Sequence, residues 1–259
     1  MDTQCIPSPK HPVIFTRGRL IAWMVEAACD LELHNATLHV AIKLLDRAFD
    51  CVYAENQHFP CMASACLLIA AKLEETTTPP TCNFCYISNE IFTKQQLIQT
   101  ELQICTSLSF ALHTITPYHF IHRFIKASDA TAGTFPWTIM SLSNPVLEAM
   151  VEYLVELAMV KSDFVNVRCS LVAASAVYLA RATLKVQDSD GVVWSRTLEH
   201  YTRYDKGELE ETVKRIHTLQ VNASTSKTKC VYQKYNKRAY FEVARQPAIH
   251  YKDLDLDFQ

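Results

Sequence analysis

Apolar residues recur every three or four positions along most of the chain, and this period is that of an amphipathic helix. The stretch 37–53 is a clear example, because it follows Asn35, a residue type that caps helices. Its Leu38, Ile42 and Phe49 all fall on one face. Almost no segment alternates apolar and polar residues as a strand does. The pattern therefore predicts an all-α protein.

The predicted helices form two series of five. The first series comprises Arg17–Leu33, Thr37–Tyr53, Pro60–Glu75, Thr81–Ser88 and Thr93–Ser107. The second comprises Thr116–Lys126, Asn144–Lys161, Arg168–Leu184, Val192–Arg203 and Asp205–Val221. Gly, Pro, Ser and Thr predict a loop over residues 127–143, and a polar tail with a short helix over Val231–Tyr240 follows.

The two series are similar in sequence as well as in order. TKQQLIQTELQI (93–104) aligns without gaps on DKGELEETVKRI (205–216), and both begin with a cap residue followed by Lys. ACLLIAAK (65–72) aligns in the same way on ASAVYLAR (174–181). We therefore interpret the chain as an internal repeat.

Two of the predicted helices, around 61–71 and 169–182, are apolar on nearly all sides. A helix of that kind has to be surrounded by other helices. We therefore expect two tandem five-helix bundles, each around one buried central helix. The expected divisions are an N-terminal extension (1–15), a first bundle (16–112), a second bundle (113–222) and a C-terminal tail (223–259).

Composition and charge narrow the class of protein. Only 4 Gly against 49% hydrophobic residues suits a helical fold. The chain has 25 basic and 27 acidic residues, a balance that argues against a nucleic-acid-binding surface. The longest strongly apolar run, 61–71, is too short to span a membrane, and the N-terminus does not resemble a signal peptide. We expect the ten Cys to be reduced intracellular thiols.

The sequence shows no catalytic constellation. Cys82 and Cys85 form a single C-x-x-C without a second pair at zinc spacing, so we interpret them as structural. His39, His119 and His122 lack metal-ligand spacing. Phosphate-binding loops, nucleophile elbows and kinase signatures are also missing. We therefore predict a protein that is not an enzyme and has no metal or cofactor.

Five motifs, in order, identify a family resemblance: W-M-V-E, T-L-H, L-D-R, A-K-L-E-E…P-P and T-P-Y-x-F. Together they resemble the cyclin box of mitotic, A/B-type cyclins, and the likeness runs from about residue 14 to 245. The resemblance implies two cyclin boxes and a regulatory subunit that activates a cyclin-dependent protein kinase by packing on its αC helix. It further implies action at the G2/M transition, in the nucleus and cytoplasm.

Lys72 and Glu101 are the charged residues whose positions need explanation. The stem of Lys72 follows an apolar helix and could simply extend to water, and Glu101 lies between Leu97 and Ile104, where it could reach water or pair internally. A partner's backbone would satisfy both charges instead. The cyclin resemblance implies this last role, with binding to the kinase backbone around αC. It assigns the surrounding pocket to Ile69, Leu73, Cys105, Phe110 and Leu112. We interpret Glu74 and Glu75 as solubilising residues.

The resemblance also implies two roles for the first helix. Arg17 and Asp46 match a structural ion pair that joins the first two helices. Leu20, Trp23 and Glu26 match part of a surface that docks R-x-L motifs of substrates or inhibitors. Departures from that surface are Thr16, Arg19 and Pro60, and the charge of Arg19 would repel the basic part of such a motif. Docking and simple helix packing therefore both remain open for this patch.

Two other classes of function are alternatives to a kinase regulator. A transcription factor with paired cyclin folds would bind DNA and a partner protein, but it would need a zinc ribbon and a basic surface. A helical enzyme would need a reactive thiol such as Cys82 or Cys85. Mitotic cyclins carry a long degradation segment before the box, whereas sixteen residues precede Arg17. We expect either a truncated chain or another degradation signal.

Overall fold

The computed structural model describes residues 13–52, 59–129, 144–188, 191–226 and 229–254. Over these ranges the regular structure is helical and contains no strand, which confirms the all-α prediction. The chain divides into two compact units. Unit 1 comprises residues 1–116 and 159–166, and unit 2 comprises residues 117–158 and 167–259.

Unit 1 is built around one central helix. Its helices are α1 (Val13–Asp30), α2 (Asn35–Val52), α3 (Phe59–Glu74), α4 (Thr81–Ile87) and α5 (Lys94–Ser107). Every residue of α3 from Cys61 to Ala71 is buried, and α1, α2, α4 and α5 all contact it. Its many Ala, Cys and Ser side chains are small, so neighbouring helices can approach from all sides.

Unit 2 repeats this plan. Its helices are α6 (Tyr118–Asp129), α7 (Pro145–Val160, the last two residues of which count with unit 1), α8 (Cys169–Thr183), α9 (Arg196–Thr202), α10 (Lys206–Asn222) and α11 (Cys230–Tyr235). All residues of α8 from Val172 to Ala182 are buried, and α6 and α10 pack against it. Each unit therefore has the buried central helix that the sequence predicts.

The gapless alignment of α5 with α10 has a structural cause at their first residues. Both helices begin with a capping box, in which the cap side chain and the third helical residue bond each other's backbone N–H groups. The Gln96 amide donates to Thr93 Oγ1 over 3.2 Å, and the Glu208 amide donates to Asp205 Oδ1 over 2.9 Å. The same local signal therefore starts both helices at the same register.

Several predicted boundaries are wrong. Helix α1 begins at Val13, four residues before the predicted start. Helix α9 begins at Arg196 rather than Val192, because the hydroxyl of Ser195 accepts the Leu198 amide and caps the helix there.

Helices α2 and α6 also differ from the prediction. Helix α2 includes Asn35, and the ring Nδ1 of His34 accepts the Ala36 amide at the cap position. Helix α6 begins at Tyr118 and continues to Asp129, so residues 127–129 are helical rather than part of the predicted loop. The rest of that loop, 130–143, lies outside the described residues.

The described part of the C-terminal tail packs into unit 2. The Lys234 ammonium lies 2.6 Å from Glu156 Oε1, and the Tyr235 hydroxyl donates to the same oxygen over 2.7 Å. Lys234 is 4% exposed and Glu156 is 1% exposed, so the ion pair is buried. The predicted tail helix is therefore α11 followed by a short 3₁₀ turn, Arg238–Tyr240.

Along the described ranges, no helix is both long enough and apolar enough to cross a bilayer.

Candidate functional site

Helices α3 and α5 bring Lys72 and Glu101 together at the surface of unit 1. Lys72 lies in the last turn of α3 and Glu101 lies in the middle of α5. The Lys72 ammonium donates to the Glu101 carboxylate. The Lys72 side chain is 49% exposed and that of Glu101 is 15% exposed. An ion pair this exposed contributes about 0–1 kcal/mol to stability, so the fold does not depend on it.

The other predicted pocket residues differ in exposure. Ile69 and Cys105 are buried, Leu112 is half-buried, and Leu73 and Phe110 are exposed. Burial, and next the Glu101 carboxylate, raises the pKa of the Cys105 thiol above its ordinary value. Cys105 is therefore a neutral, apolar part of the surface at neutral pH. The arrangement offers one cation and one carboxylate within an apolar surround.

Phe110 presents its ring from an unfavourable backbone conformation. Ser109 and Phe110 both lie in the left-handed region, with φ of 51° and 56°, and the Phe110 side chain remains 65% exposed. The Phe110 amide donates to the Cys105 carbonyl over 2.8 Å, and this bond holds the turn. A bulky residue in this region costs about 1–2 kcal/mol. Such strain at an exposed aromatic residue is typical of contact sites.

Two further apolar residues of α5 extend this surface, and the sequence analysis missed them. Ile98 is 45% exposed and Leu102 is 60% exposed. They are four residues apart, so they are neighbours on one face of the helix. Leu97 and Ile104, by contrast, are fully buried. The available signal was that α5 carries apolar residues on its outer face as well as on its core face.

The repeat in unit 2 lacks the same surface. Arg181 aligns with Lys72 but is 1% exposed, and it bonds Asp188 Oδ1, the Val193 carbonyl and Ser128. Val213 aligns with Glu101 and is fully buried.

The outer face of α10 differs from that of α5 in the same way. The positions of Ile98 and Leu102 correspond to Glu210 and Lys214, which form an ion pair of 2.5 Å. Within the described residues, the exposed pair surrounded by apolar side chains is therefore a feature of unit 1.

The residues of the possible docking patch lie along α1. Leu20 is 8% exposed, Trp23 is half-buried and Glu26 is exposed. Arg19 is also exposed, next to Leu20 in the chain. The side chain of Leu20 therefore packs mainly inside unit 1, whereas Trp23 and Glu26 are accessible. The side chain of Thr16 lies outside the part of the chain that the structure describes.

Arg17 is held by more groups than the sequence indicated. Its Nε and Nη2 donate to the two oxygens of Asp46, over 2.5 and 3.0 Å. Nη1 and Nη2 also donate to the carbonyls of Val160 and Met159, each over 3.1 Å. All four acceptor oxygens belong to residues of unit 1, and Arg17 is 6% exposed. This buried guanidinium is a structural element.

Glu75 also has a structural contact, so its interpretation as a purely solubilising residue is wrong. Its Oε1 accepts the His34 amide over 2.7 Å and the Thr37 hydroxyl over 2.5 Å. Glu75 therefore ties the residue after α3 to the start of α2. Sequence alone does not show this, because the partners are about forty residues away.

The thiols of the C-x-x-C segment lie on α4. Cys82 is exposed and Cys85 is half-buried. Burial, and next the neighbouring Cys82, raises the pKa of the Cys85 thiol. A raised pKa lowers the thiolate fraction at neutral pH, which opposes a role as nucleophile. In the described ranges, no group of three His, Cys, Asp or Glu residues is arranged to hold a metal ion.

Comparison with known families and proteins gives a consistent result. Residues 2–113 match the model of the cyclin N-terminal domain, and residues 115–249 match that of the cyclin C-terminal domain. The chain is 36% identical over 229 residues to Cyclin-A2-2 of Arabidopsis thaliana, which covers 88% of this chain and 50% of that protein. It is 32% identical over 245 residues to Cyclin-A3-1 of Oryza sativa subsp. japonica, covering 92% of this chain and 63% of that protein.

The chain thus spans about half to two-thirds of the length of these curated relatives. Among solved structures, the fold is similar to that of a viral cyclin from herpesvirus saimiri, with a TM-score of 0.66 and 16% identity. That match covers 85% of this chain and 88% of the viral chain. The fold is also similar to a chain in the yeast RNA Pol II CTD kinase CTDK-1 complex, with a TM-score of 0.60, 15% identity and coverage of 96% and 83%.

Proposed function

The chain belongs to the cyclin family, and we propose that it is a regulatory subunit that binds a cyclin-dependent protein kinase through unit 1 and activates it. One observation carries the proposal. The ion pair of Lys72 and Glu101 lies on helices that also expose the apolar side chains of Leu73, Ile98 and Leu102, and the aligned positions that the structure describes in unit 2 carry no such exposed combination. An exposed apolar surface around a few polar groups is typical of a protein interface.

The chemistry of activation takes place on the kinase. A protein kinase is active when the Glu of its αC helix pairs with the Lys of strand β3, which orients ATP. A partner that binds only the inward position of αC shifts the kinase population toward that state. The cyclin supplies a binding surface for this shift and carries out no step of phosphoryl transfer.

Lys72 and Glu101 suit the recognition of a main chain. Their mutual bond uses one of the three N–H donors of the ammonium and one of the two carboxylate oxygens. The remaining donors fit partner carbonyls, and the remaining oxygen fits partner N–H groups. Bonds to charged groups are about twice as strong as neutral ones, especially when an apolar surround excludes water. The exposed Leu73 and Phe110 provide such a surround once a partner covers them.

The test is a variant with both Lys72→Ala and Glu101→Ala. Because the pair is exposed, we expect the melting temperature to change little. Loss of charged hydrogen bonds at an interface costs about 2–5 kcal/mol, so the Kd for the kinase should rise about 30- to 5,000-fold. Kinase activation, measured as phosphate transfer to a histone-type substrate, should fall at equal cyclin concentration.

A matched control removes another exposed ion pair, Glu242 with Arg245, which are 2.9 Å apart in unit 2. Changing both to Ala should leave affinity and activation unchanged. If the Lys72 and Glu101 variant folds and still activates the kinase fully, this face is not the kinase-binding face.

Three finer aspects belong to the same proposal. We place the activity at G2/M and in the nucleus and cytoplasm. Cell-cycle-resolved imaging of a tagged full chain tests both.

The third aspect concerns the α1 patch, which we propose docks R-x-L peptides through its accessible residues Trp23 and Glu26. The fluorescence anisotropy of a labelled R-x-L peptide mixed with the protein should be lower for the Trp23→Ala variant than for the unmodified chain, because less peptide is bound. Unchanged binding would leave Trp23 as a packing residue.

A further inference from the structure

Residues 249–254, which we call the C-terminal segment, lie against helices α8 and α10 of unit 2. His217 Nε2 on α10 is 2.8 Å from the Ile249 carbonyl oxygen, and the Tyr178 hydroxyl on α8 donates to the Leu254 carbonyl. The side chain of Leu254 is 1% exposed. The two ends of the segment are thus held by side chains from two helices that pack on each other.

The middle of the segment is held through Tyr251. Its ring lies 6.2 Å from the ring of His217, and the Lys214 ammonium lies 5.7 Å from the ring centroid. Hydrogen bonds from the Lys214 side chain, first to Glu210 and next to Tyr251, raise the pKa of Lys214 and so favour its cationic form. Helices α8 and α10 therefore hold the segment through two of its main-chain carbonyls and through the aromatic ring of Tyr251.

The residues that hold this segment occupy the positions that form the candidate site in unit 1. The helical repeat aligns each of them with a residue on α3 or α5, when the α5 alignment is continued by one residue. The aligned pairs are Tyr178 with Ile69, Lys214 with Leu102, and His217 with Cys105. The groove between α8 and α10 thus corresponds to the surface between α3 and α5, where Leu102 is 60% exposed.

We propose that the groove between α8 and α10 is a second peptide-binding site of the same design, and that the C-terminal segment is its resident ligand. The ligand class is a short peptide whose carbonyls accept from Tyr178 and His217 and whose aromatic side chain packs beside Lys214. The chain therefore covers this part of unit 2 with its own C-terminal segment, whereas Leu102 remains exposed at the corresponding position of unit 1.

The segment is suited to act as a separable ligand. Residues 246–248, which precede it, form no regular helix, and within it only the short 3₁₀ turn Tyr251–Asp253 is regular structure. Tyr251 is 49% exposed, so its contacts with Lys214 and His217 are accessible from solvent. Apart from Tyr251 and Leu254, the segment is held through main-chain carbonyls that face side chains of the groove.

The test uses the full chain and a labelled peptide of residues 246–259. In the variant Leu254→Asp the resident segment is weakened, because a carboxylate cannot occupy the buried position of Leu254. The peptide should bind this variant with one-to-one stoichiometry and at least ten-fold tighter than it binds the unmodified chain. A peptide that itself carries Leu254→Asp should not bind, and Tyr178→Phe added to the variant should weaken binding.

A second measurement does not depend on the variant's folding. Hydrogen exchange of residues 249–254 in the unmodified chain should speed up when the unlabelled peptide is added in excess, since peptide and segment compete for one groove. Unchanged exchange at saturating peptide, or no binding to a folded Leu254→Asp variant, would overturn the proposal.

The peptide must also bind unit 2 rather than the open surface of unit 1. The substitutions Ile98→Glu and Leu102→Lys in the Leu254→Asp background should leave peptide affinity unchanged. Loss of binding there would place the peptide on unit 1 and would also overturn the proposal. None of these readouts involves a kinase, so they are independent of the proposed function.

Discussion

Replacing Ile98 with Glu and Leu102 with Lys would give the outer face of α5 the ion pair that α10 carries at the aligned positions, Glu210 and Lys214. The exchange removes two exposed apolar side chains beside the candidate site and leaves the core residues Leu97 and Ile104 untouched. A Glu four residues before a Lys also adds about 0.2–0.5 kcal/mol to helix stability. We therefore expect the free chain to fold and melt as before.

The expected loss of kinase affinity follows from the exposed fractions. Full burial of an Ile or Leu side chain is worth about 1.5–3 kcal/mol. Ile98 is 45% exposed and Leu102 is 60% exposed. If the kinase buries these exposed fractions, Ile98 contributes about 0.7–1.4 kcal/mol and Leu102 about 0.9–1.8 kcal/mol to the free energy of binding. Their sum, about 1.6–3.2 kcal/mol, corresponds to a Kd about 15- to 200-fold higher.

The assay is titration calorimetry of the cyclin with the kinase, alongside thermal melting of the free chain. A matched control places the same charges on a neighbouring exposed face of α5, as Gln99→Glu with Gln103→Lys. The control should bind within about two-fold of the unmodified chain. If the Ile98 and Leu102 variant also binds within two-fold while melting normally, the kinase does not cover this part of α5, and the area argument fails.

Three further predictions concern stability. Asp46→Ala leaves the buried guanidinium of Arg17 without its carboxylate and should lower the free energy of unfolding in urea by about 3–5 kcal/mol; a loss below about 1 kcal/mol would contradict a buried ion pair. Lys185 follows α8 with a φ of 55°, so Lys185→Gly should raise the unfolding free energy by about 0.5–1 kcal/mol, whereas Lys185→Ala should not. Burial raises the pKa of Tyr153, so its protonated form is favoured in the folded state. The resulting stability is fully present below the unfolded pKa of about 10 and is lost as pH rises above it, at about 1.4 kcal/mol per pH unit. Tyr153→Phe should remove this share of the alkaline slope in urea titrations, and an unchanged slope would show that Tyr153 does not contribute to it.

The features of the fold that the sequence predicted are those that depend on local pattern. The apolar runs at 61–71 and 169–182 identified the two central helices, because a helix without a polar face can exist only inside a bundle. Thr93 and Asp205 identified the starts of α5 and α10, because a cap acts on residues three positions away. The predicted start of α9 was too early, because an apolar residue before Ser195 continued the helical spacing of apolar positions.

The candidate site was predictable in part for the same reason. Family motifs name Lys72 and Glu101, but their direct bond depends on how α3 and α5 pack, which no local pattern reports. Leu102 was missed because an apolar residue on the outside of a helix looks the same in sequence as one that faces the core. The roles of Glu75 and of the carbonyls that hold Arg17 were missed because these partners are far apart in the chain.

The bonds from Arg17 to the carbonyls of Met159 and Val160 affect the order of events during synthesis. Unit 1 includes residues 159–166, so the first helix lacks two of its four hydrogen-bond acceptors until that stretch has been translated. At about 5–20 residues per second, roughly 2–9 s separate the synthesis of residue 116 from that of residue 160. During this interval the nascent N-terminal bundle is incomplete and holds a guanidinium without its full set of acceptors.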